Sequence, residues 1–298
     1  MRRILVLRGG ALGDFIVTLP ALALLRERWP EAQIELVGNR TAAAVAQARG
    51  LLNTVHSQHE ARWAPLYIEG RLPEPLAGWL ADFDLVINFW PDPDGTLARH
   101  FPRRDGQVFV TAAPLPSHGP AAAHYSEPLR QLGIGPQQTW YPLRPAHASM
   151  SSPQGVALHP GSGSPRKNWP AERWLEVIES LKCPVTLILG EAEFETWERR
   201  LEQLRQRPGL VTLANPPLES LVAAVARSAL FLGHDSGVSH LAAATGIPCV
   251  LLFGPTDPAI WAPPEPAVRT LQRGATVDLI PVTDVLAAIR QALPSALG

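Results

Sequence analysis

The sequence predicts an α/β protein of two Rossmann-like domains. Three observations carry this reading. Short continuously apolar runs alternate with helical patterns from end to end. The 298 residues exceed one ordinary core and suit two domains of about 140 residues each. A stretch at 133–154, rich in Pro, Gly, Ser and Ala and without apolar periodicity, divides the alternation and reads as an interdomain linker. The expected domains are residues 1–140 and 155–298.

In the first half the expected strands are 4–8, 34–38, 85–89 and 108–112, since apolar runs of this length suit parallel strands covered on both faces. A helix is expected over 14–29, with Leu19, Leu22, Leu25 and Trp29 at helical spacing. In the second half strands are expected at 156–159, 185–189, 210–213, 230–233, 249–253 and 268–271. Helices are expected at 171–181, 193–206, 218–227, 238–245 and 282–293. Six strands in β-α-β series predict a doubly wound parallel sheet, with ligands at the strand carboxyl ends.

Composition removes several function classes. With 26 Lys plus Arg against 27 Asp plus Glu there is no electrostatic case for nucleic acid. No stretch approaches the ~20 apolar residues of a membrane span, and the apolar run at 4–7 is too short for a signal peptide and reads as a strand. Cys183 and Cys249 sit in apolar runs and read as buried free thiols of a reducing compartment, so the cytoplasm is the expected location. Nine His and two Cys show no metal-ligand spacing, and there is no G-x-S-x-G elbow, so neither a metal nor a cofactor is expected.

Three strand-end motifs carry the chemistry. The first runs from Arg8 through Gly9, Gly10, Ala11, Leu12 and Gly13 to Asp14, then Thr18-Leu19-Pro20. Glycines there let the backbone turn tightly and a ligand come close. The spacing is not G-x-G-x-x-G, and Val37-Gly38-Asn39 stands where a ribose-binding acid would end the second strand, which argues against a nicotinamide cofactor. Asp14 is a candidate base; alternatively it is simply an acid well placed in a first helical turn. The second motif is residues 159–170, His-Pro-Gly-Ser-Gly-Ser-Pro-Arg-Lys-Asn-Trp-Pro. Ser162, Ser164 and the backbone would donate to a phosphate and Lys167 would supply charge, against the alternative of a solvated loop. The third is residues 233–240, where Ser236 and Gly237 leave amide groups free at a helix start. Asp235 reads as an N-cap or a group binding sugar hydroxyls, and His240 as a phosphate donor or a core histidine. Thr256, in the turn after the next strand, would donate to the same ligand.

Together these motifs, with Lys167-Asn168-Trp169-Pro170, His240-Leu241-Ala242-Ala243 and the run 252–258, resemble glycosyltransferase family 9, the ADP-heptose:lipopolysaccharide heptosyltransferases. The resemblance implies a B-type glycosyltransferase fold, with acceptor bound by the N-terminal half and donor by the C-terminal half. It implies Asp14 as catalytic base and Lys167 as phosphate ligand. It assigns Asp235, Ser236, Gly237 and His240 to the donor turn and Glu193 to the donor ribose, with Glu191 competing for that role. Gly10 and Gly13 would lie against the acceptor. Arg62 and Arg104, with Arg99 and Arg103, would meet acceptor phosphates or acidic sugars, though a solvated arginine face is the plainer reading of all four. The expected reaction is inverting, metal-independent transfer of heptose from ADP-heptose to a glycolipid or oligosaccharide of the lipopolysaccharide core, at the inner face of the membrane. The rivals are a sugar-nucleotide epimerase of the same architecture and a non-catalytic nucleotide-sugar-binding protein.

Overall fold

The computed structural model describes residues 1–135, 139–143, 153–204, 206–264 and 267–298. The chain divides into two compact units, Met1–Thr139 and Trp140–Gly298. Most of the expected linker, residues 136–138 and 144–152, lies outside the described residues. Of the remainder, Leu143 is fully buried and its N–H donates to Ala244 O, so residues 140–143 pack with the second unit.

The first unit runs β1 (Arg3–Arg8), α1 (Leu12–Ile16), α2 (Leu19–Arg28), β2 (Gln33–Gly38), α3 (Arg40–Gln47), β3 (Thr54–Ser57), α4 (Glu74–Ala81), β4 (Leu85–Asn88), α5 (Thr96–His100), β5 (Val108–Thr111) and α6 (Ala121–Ser126). A 3₁₀ turn over Ala61–Tyr67 follows β3. The strands form a parallel sheet in the order β3-β2-β1-β4-β5. Ile4–Leu7 and Leu85–Ile87 are fully buried, because a central parallel strand is covered on both faces.

The single helix expected over 14–29 is two helices, broken at Val17 and Thr18. Pro20 has no N–H for the Ile16 carbonyl and its ring would clash there, so the helix restarts with Pro20 in its first turn.

The second unit runs β6 (Val156–Leu158), α7 (Ala171–Ser180), β7 (Val185–Leu189), α8 (Glu191–Leu204), β8 (Leu210–Ala214), α9 (Leu218–Ala226), β9 (Leu230–His234), α10 (Gly237–Ala244), β10 (Cys249–Phe253), α11 (Pro258–Trp261), β11 (Val268–Gln272) and α12 (Val282–Ala292). The strand order is β11-β10-β9-β6-β7-β8, all parallel. In both sheets the chain reverses direction beside the first strand, at β1/β4 and β6/β9. Ligands of open α/β sheets bind at that point, outside the strand carboxyl ends. Trp174, Val177 and Ile178 of α7 and Val285, Ala288 and Ile289 of α12 close one core over this sheet. Both cysteines are free; Cys249 is buried, but Cys183 is half-buried, because it lies in the loop before β7 rather than in the strand. Among the described residues no helix is long and apolar enough to cross a membrane.

Candidate functional site

In the second unit the site grows from the ends of β6 and β9. His234, the last residue of β9, is completely buried. Its Nε2 accepts from the Trp169 N–H at 2.8 Å, and its Nδ1 lies 3.4 Å from the Gly161 carbonyl. One ring thus fastens both ends of the 161–169 loop to the sheet, and the pattern requires the neutral Nδ1–H tautomer. Burial, and then the neighbouring His159, push the His234 pKa down to about 3. His159 is also held neutral by burial, its Nδ1 donating to the Ile188 carbonyl at 3.0 Å.

A group whose pKa falls on folding stabilises the fold above its unfolded value and loses that contribution as the pH drops toward the folded value. Stability should therefore decline from about pH 6.5 downward, by on the order of 1 kcal/mol per pH unit from His234. Thermal melts between about pH 7 and about pH 4.5 should show a steeper decline for the parent than for His234→Gln. Parallel curves would mean that His234 is not the group responsible.

On this loop Lys167 Nζ donates to Asp235 Oδ2 at 2.6 Å, and Thr256 Oγ1 donates to the same oxygen at 2.7 Å. The Asp235 side chain is 7% exposed and that of Lys167 28%. Asp235 does not cap α10. Ser236 does, its Oγ accepting from the Ser239 N–H at 3.3 Å. Asp235 has turned toward Lys167 because the pair neutralises a carboxylate that would otherwise be buried alone. The first-turn N–H groups of Gly237 and Val238 have no intrahelical acceptor. His240 lies one turn further on, buried.

Glu193, in the first turn of α8, is buried, whereas Glu191 is exposed. Glu193 Oε2 accepts from the Gly190 N–H at 2.9 Å. Oε1 lies so close to Gly161 that a Cβ there would fall 2.0 Å from it. Gly161 is therefore required by contact, and the carboxylate borders the phosphate-cradle candidate. Ser162 turns inward, its Oγ 2.8 Å from the Ser164 carbonyl and 2.7 Å from Asn168 Oδ1, so its hydroxyl organises the loop. Ser164 enters these bonds through its backbone.

In the first unit Asp14 sits in the first turn of α1, just beyond the carboxyl end of β1. Its Oδ2 accepts from the Ala11 N–H at 2.9 Å and its Oδ1 is 3.3 Å from Arg8 Nη2. Arg8 is buried, with its guanidinium 4.3 Å from the centre of the Tyr125 ring and further bonds to the Asp14 carbonyl and Thr18 Oγ1. The Asp14 side chain keeps 30% of its surface exposed. Gly10, at φ +105°, packs so tightly that a Cβ would lie 2.6 Å from Asp14 Oδ2. Gly13 lies within α1.

Each of the four arginines has partners of its own. Arg62 pairs with Glu60 at 2.8 Å, bonds His56 Nδ1 and stacks on Trp63. Arg104 pairs with Asp84 at 2.6 Å, beside the first residue of β4 and so at the opposite end of the sheet from Asp14. Arg99 is bonded to the Asp94 carbonyl and Thr96, and Arg103 to the Ala98 carbonyl. Sequence reasoning passed over Arg8, Tyr125 and His234. A charged residue ending a buried strand marked Arg8. His234 stood within a quoted motif, but its partners are 65 and 73 residues away. Among the described residues no cluster of three or more His, Cys, Asp or Glu could hold a metal ion.

Residues 125–276 match the profile of glycosyltransferase family 9 (heptosyltransferase). Lipopolysaccharide heptosyltransferase 1 of Pseudomonas aeruginosa is 30% identical, over 86% of this chain and 79% of the relative. Lipopolysaccharide heptosyltransferase 3 of Escherichia coli is 21% identical, over 95% of this chain and 97% of the relative. The structure of the E. coli heptosyltransferase WaaC with ADP superposes with a TM-score of 0.75 at 19% identity, covering 97% of this chain and 99% of that one. The fold is thus that of the B-type glycosyltransferases. The chain belongs to glycosyltransferase family 9, the heptosyltransferase family, and is a glycosyltransferase.

Proposed function

We propose that the protein transfers heptose, with inversion and without a metal ion, from ADP-heptose to a saccharide of the lipopolysaccharide core. The observation that carries this reading is the convergence of Lys167, Asp235 and Thr256 beside the free first-turn amides of α10. Lys167 has three N–H donors and spends one on Asp235, so two remain for a diphosphate. The amides of Gly237 and Val238 add a fixed positive end. Both groups oppose the charge that grows on the leaving nucleoside diphosphate, which is the task a metal ion performs in other transferases. Glu193 offers a carboxylate to the donor ribose. In the first unit Asp14, aimed by Ala11 and Arg8, takes the proton of the acceptor hydroxyl as its oxygen attacks the anomeric carbon from the face opposite the leaving group. The heptosyltransferase names of the relatives support the donor sugar, and the ADP held by WaaC supports the base. A glycolipid acceptor would bring the protein to the inner face of the membrane from the cytoplasm.

Thermal shift with nucleoside diphosphates tests the donor. ADP at about 100 times its dissociation constant should stabilise the protein by about 2.7 kcal/mol, in the presence of a chelator. A shift with UDP or GDP and none with ADP would overturn the assignment of the base.

A further inference from the structure

We infer that a pocket of the first unit seats an uncharged pyranose ring of the acceptor, held by aromatic faces and not by cations. This inference rests on the proposed transfer reaction.

The pocket has a volume of about 480 Å³ and is walled by Gly9, Gly10, Gln58, Trp63, Tyr67 and Trp90. That size suits a small ligand. It opens beside the proposed base, since Gly10 forms part of its wall and also packs against the Asp14 carboxylate. Tyr67 and Trp90 are stacked with planes 24° apart, and Trp63 meets Trp90 edge to face. Tyr67 is 44% exposed and presents a standing apolar face.

The polar groups around this wall sort into used and unused. Trp63 Nε1 donates to the Ser57 carbonyl, and the Glu60 oxygens take the Ser57 N–H and the Arg62 Nε. Gln58 Oε1 accepts from the Gly10 N–H. Trp90 Nε1 and the Tyr67 hydroxyl have no hydrogen-bond partner among the described residues. The indole N–H edge of Trp90 is turned to Gly9, where a Cβ would lie 3.5 Å from Nε1. Burial, and then the Asp92 charge, push the Tyr67 pKa up to about 12, so its hydroxyl keeps its proton and can donate. Two neutral donors on an aromatic wall match a sugar, which has an apolar C–H face and hydroxyl acceptors at its rim. The described wall has no Lys or Arg; its one histidine, His59, lies with Nε2 3.3 Å from Gln58 Nε2, and the nearby Arg62 is committed to Glu60, His56 and the Trp63 face. A carboxylate or phosphate would lose its hydration there and meet no lysine or arginine in return.

The test uses the full chain with ADP present and saturation-transfer NMR. The probes are methyl glycosides of glucose, galactose and mannose, against methyl glucuronide and glucose 6-phosphate. Neutral glycosides should receive saturation, strongest on one ring face, and the anionic probes should not. Tyr67→Ala should weaken the neutral glycosides by roughly fivefold or more, and Tyr67→Phe by less, with melting temperature and ADP affinity unchanged. Anionic probes binding as well as neutral ones, or Tyr67→Ala binding within about twofold of the parent, would overturn the inference. Calorimetry of ADP separates the two levels. If ADP binds and neutral glycosides do not, the subsite fails alone; if ADP does not bind, the transfer reaction fails with it.

Discussion

Asp14→Asn is expected to fold, to bind ADP as the parent does, and to lose about 10²–10⁴-fold in transfer rate, the usual contribution of a general base. The surroundings favour a clean result. The asparagine keeps an oxygen for the Ala11 N–H, and Arg8 keeps Thr18 Oγ1 and the residue-14 carbonyl. What disappears is one 3.3 Å charged contact to a buried guanidinium, so the stability loss should stay within roughly 1.5–3 kcal/mol. Melting temperature, ADP affinity and turnover measured on one preparation separate the roles. A carboxylate that only fastens the glycine turn would leave turnover within about threefold of the parent and affect stability alone.

The second large effect is expected at Lys167. Removing its charged hydrogen bonds to a diphosphate should cost roughly 1.5–3 kcal/mol, or about 10- to 150-fold in ADP affinity. The geometry adds a further loss. In Lys167→Ala the Asp235 carboxylate, 7% exposed, keeps the Thr256 hydroxyl but no counter-charge, and it faces the approaching phosphates. Adding Asp235→Asn should therefore recover part of the affinity and most of any lost stability. Calorimetry on the single and double variants reads this directly. Unchanged ADP affinity in Lys167→Ala would mean that the lysine serves only to neutralise Asp235.

The two sheets were legible because their central strands are continuous apolar runs, buried on both faces. The edges were less so. β3 is Thr-Val-His-Ser, with one apolar residue and partial exposure throughout, and no run marks it. The short helices α3 to α6 of the first unit were also missed; α3 is an alanine-rich eight-residue segment with no large apolar stripe. The break at Val17–Thr18 is readable in principle from Pro20; the leucine spacing starts only at Leu19, inside α2, and so carries no sign of it.

At the site, motif order along the chain points to particular strand ends, because turn chemistry is local. Side-chain partners are not local. Asp235 meets Lys167 across 68 residues, and Arg104 meets Asp84 across 20. Neither pairing leaves a trace in spacing, so the sequence leaves Asp235 open between a cap and a group binding sugar hydroxyls, and Arg104 between an acceptor ligand and a solvated face. The Tyr125 ring under Arg8 is a further case, 117 residues away in sequence and brought there by the sheet.

In the proposed reaction Asp14 directs an acceptor oxygen in a single displacement while the Lys167 loop and α10 receive the nucleoside diphosphate. The most direct measurement is the anomeric configuration of the first product formed from ADP-heptose and lipopolysaccharide-core saccharides, in excess chelator. ADP should be released in step with a glycoside of inverted configuration, and Asp14→Asn should slow both by about 10²–10⁴-fold. A product of retained configuration, or turnover that appears only when Mg²⁺ is restored, would contradict the proposed reaction.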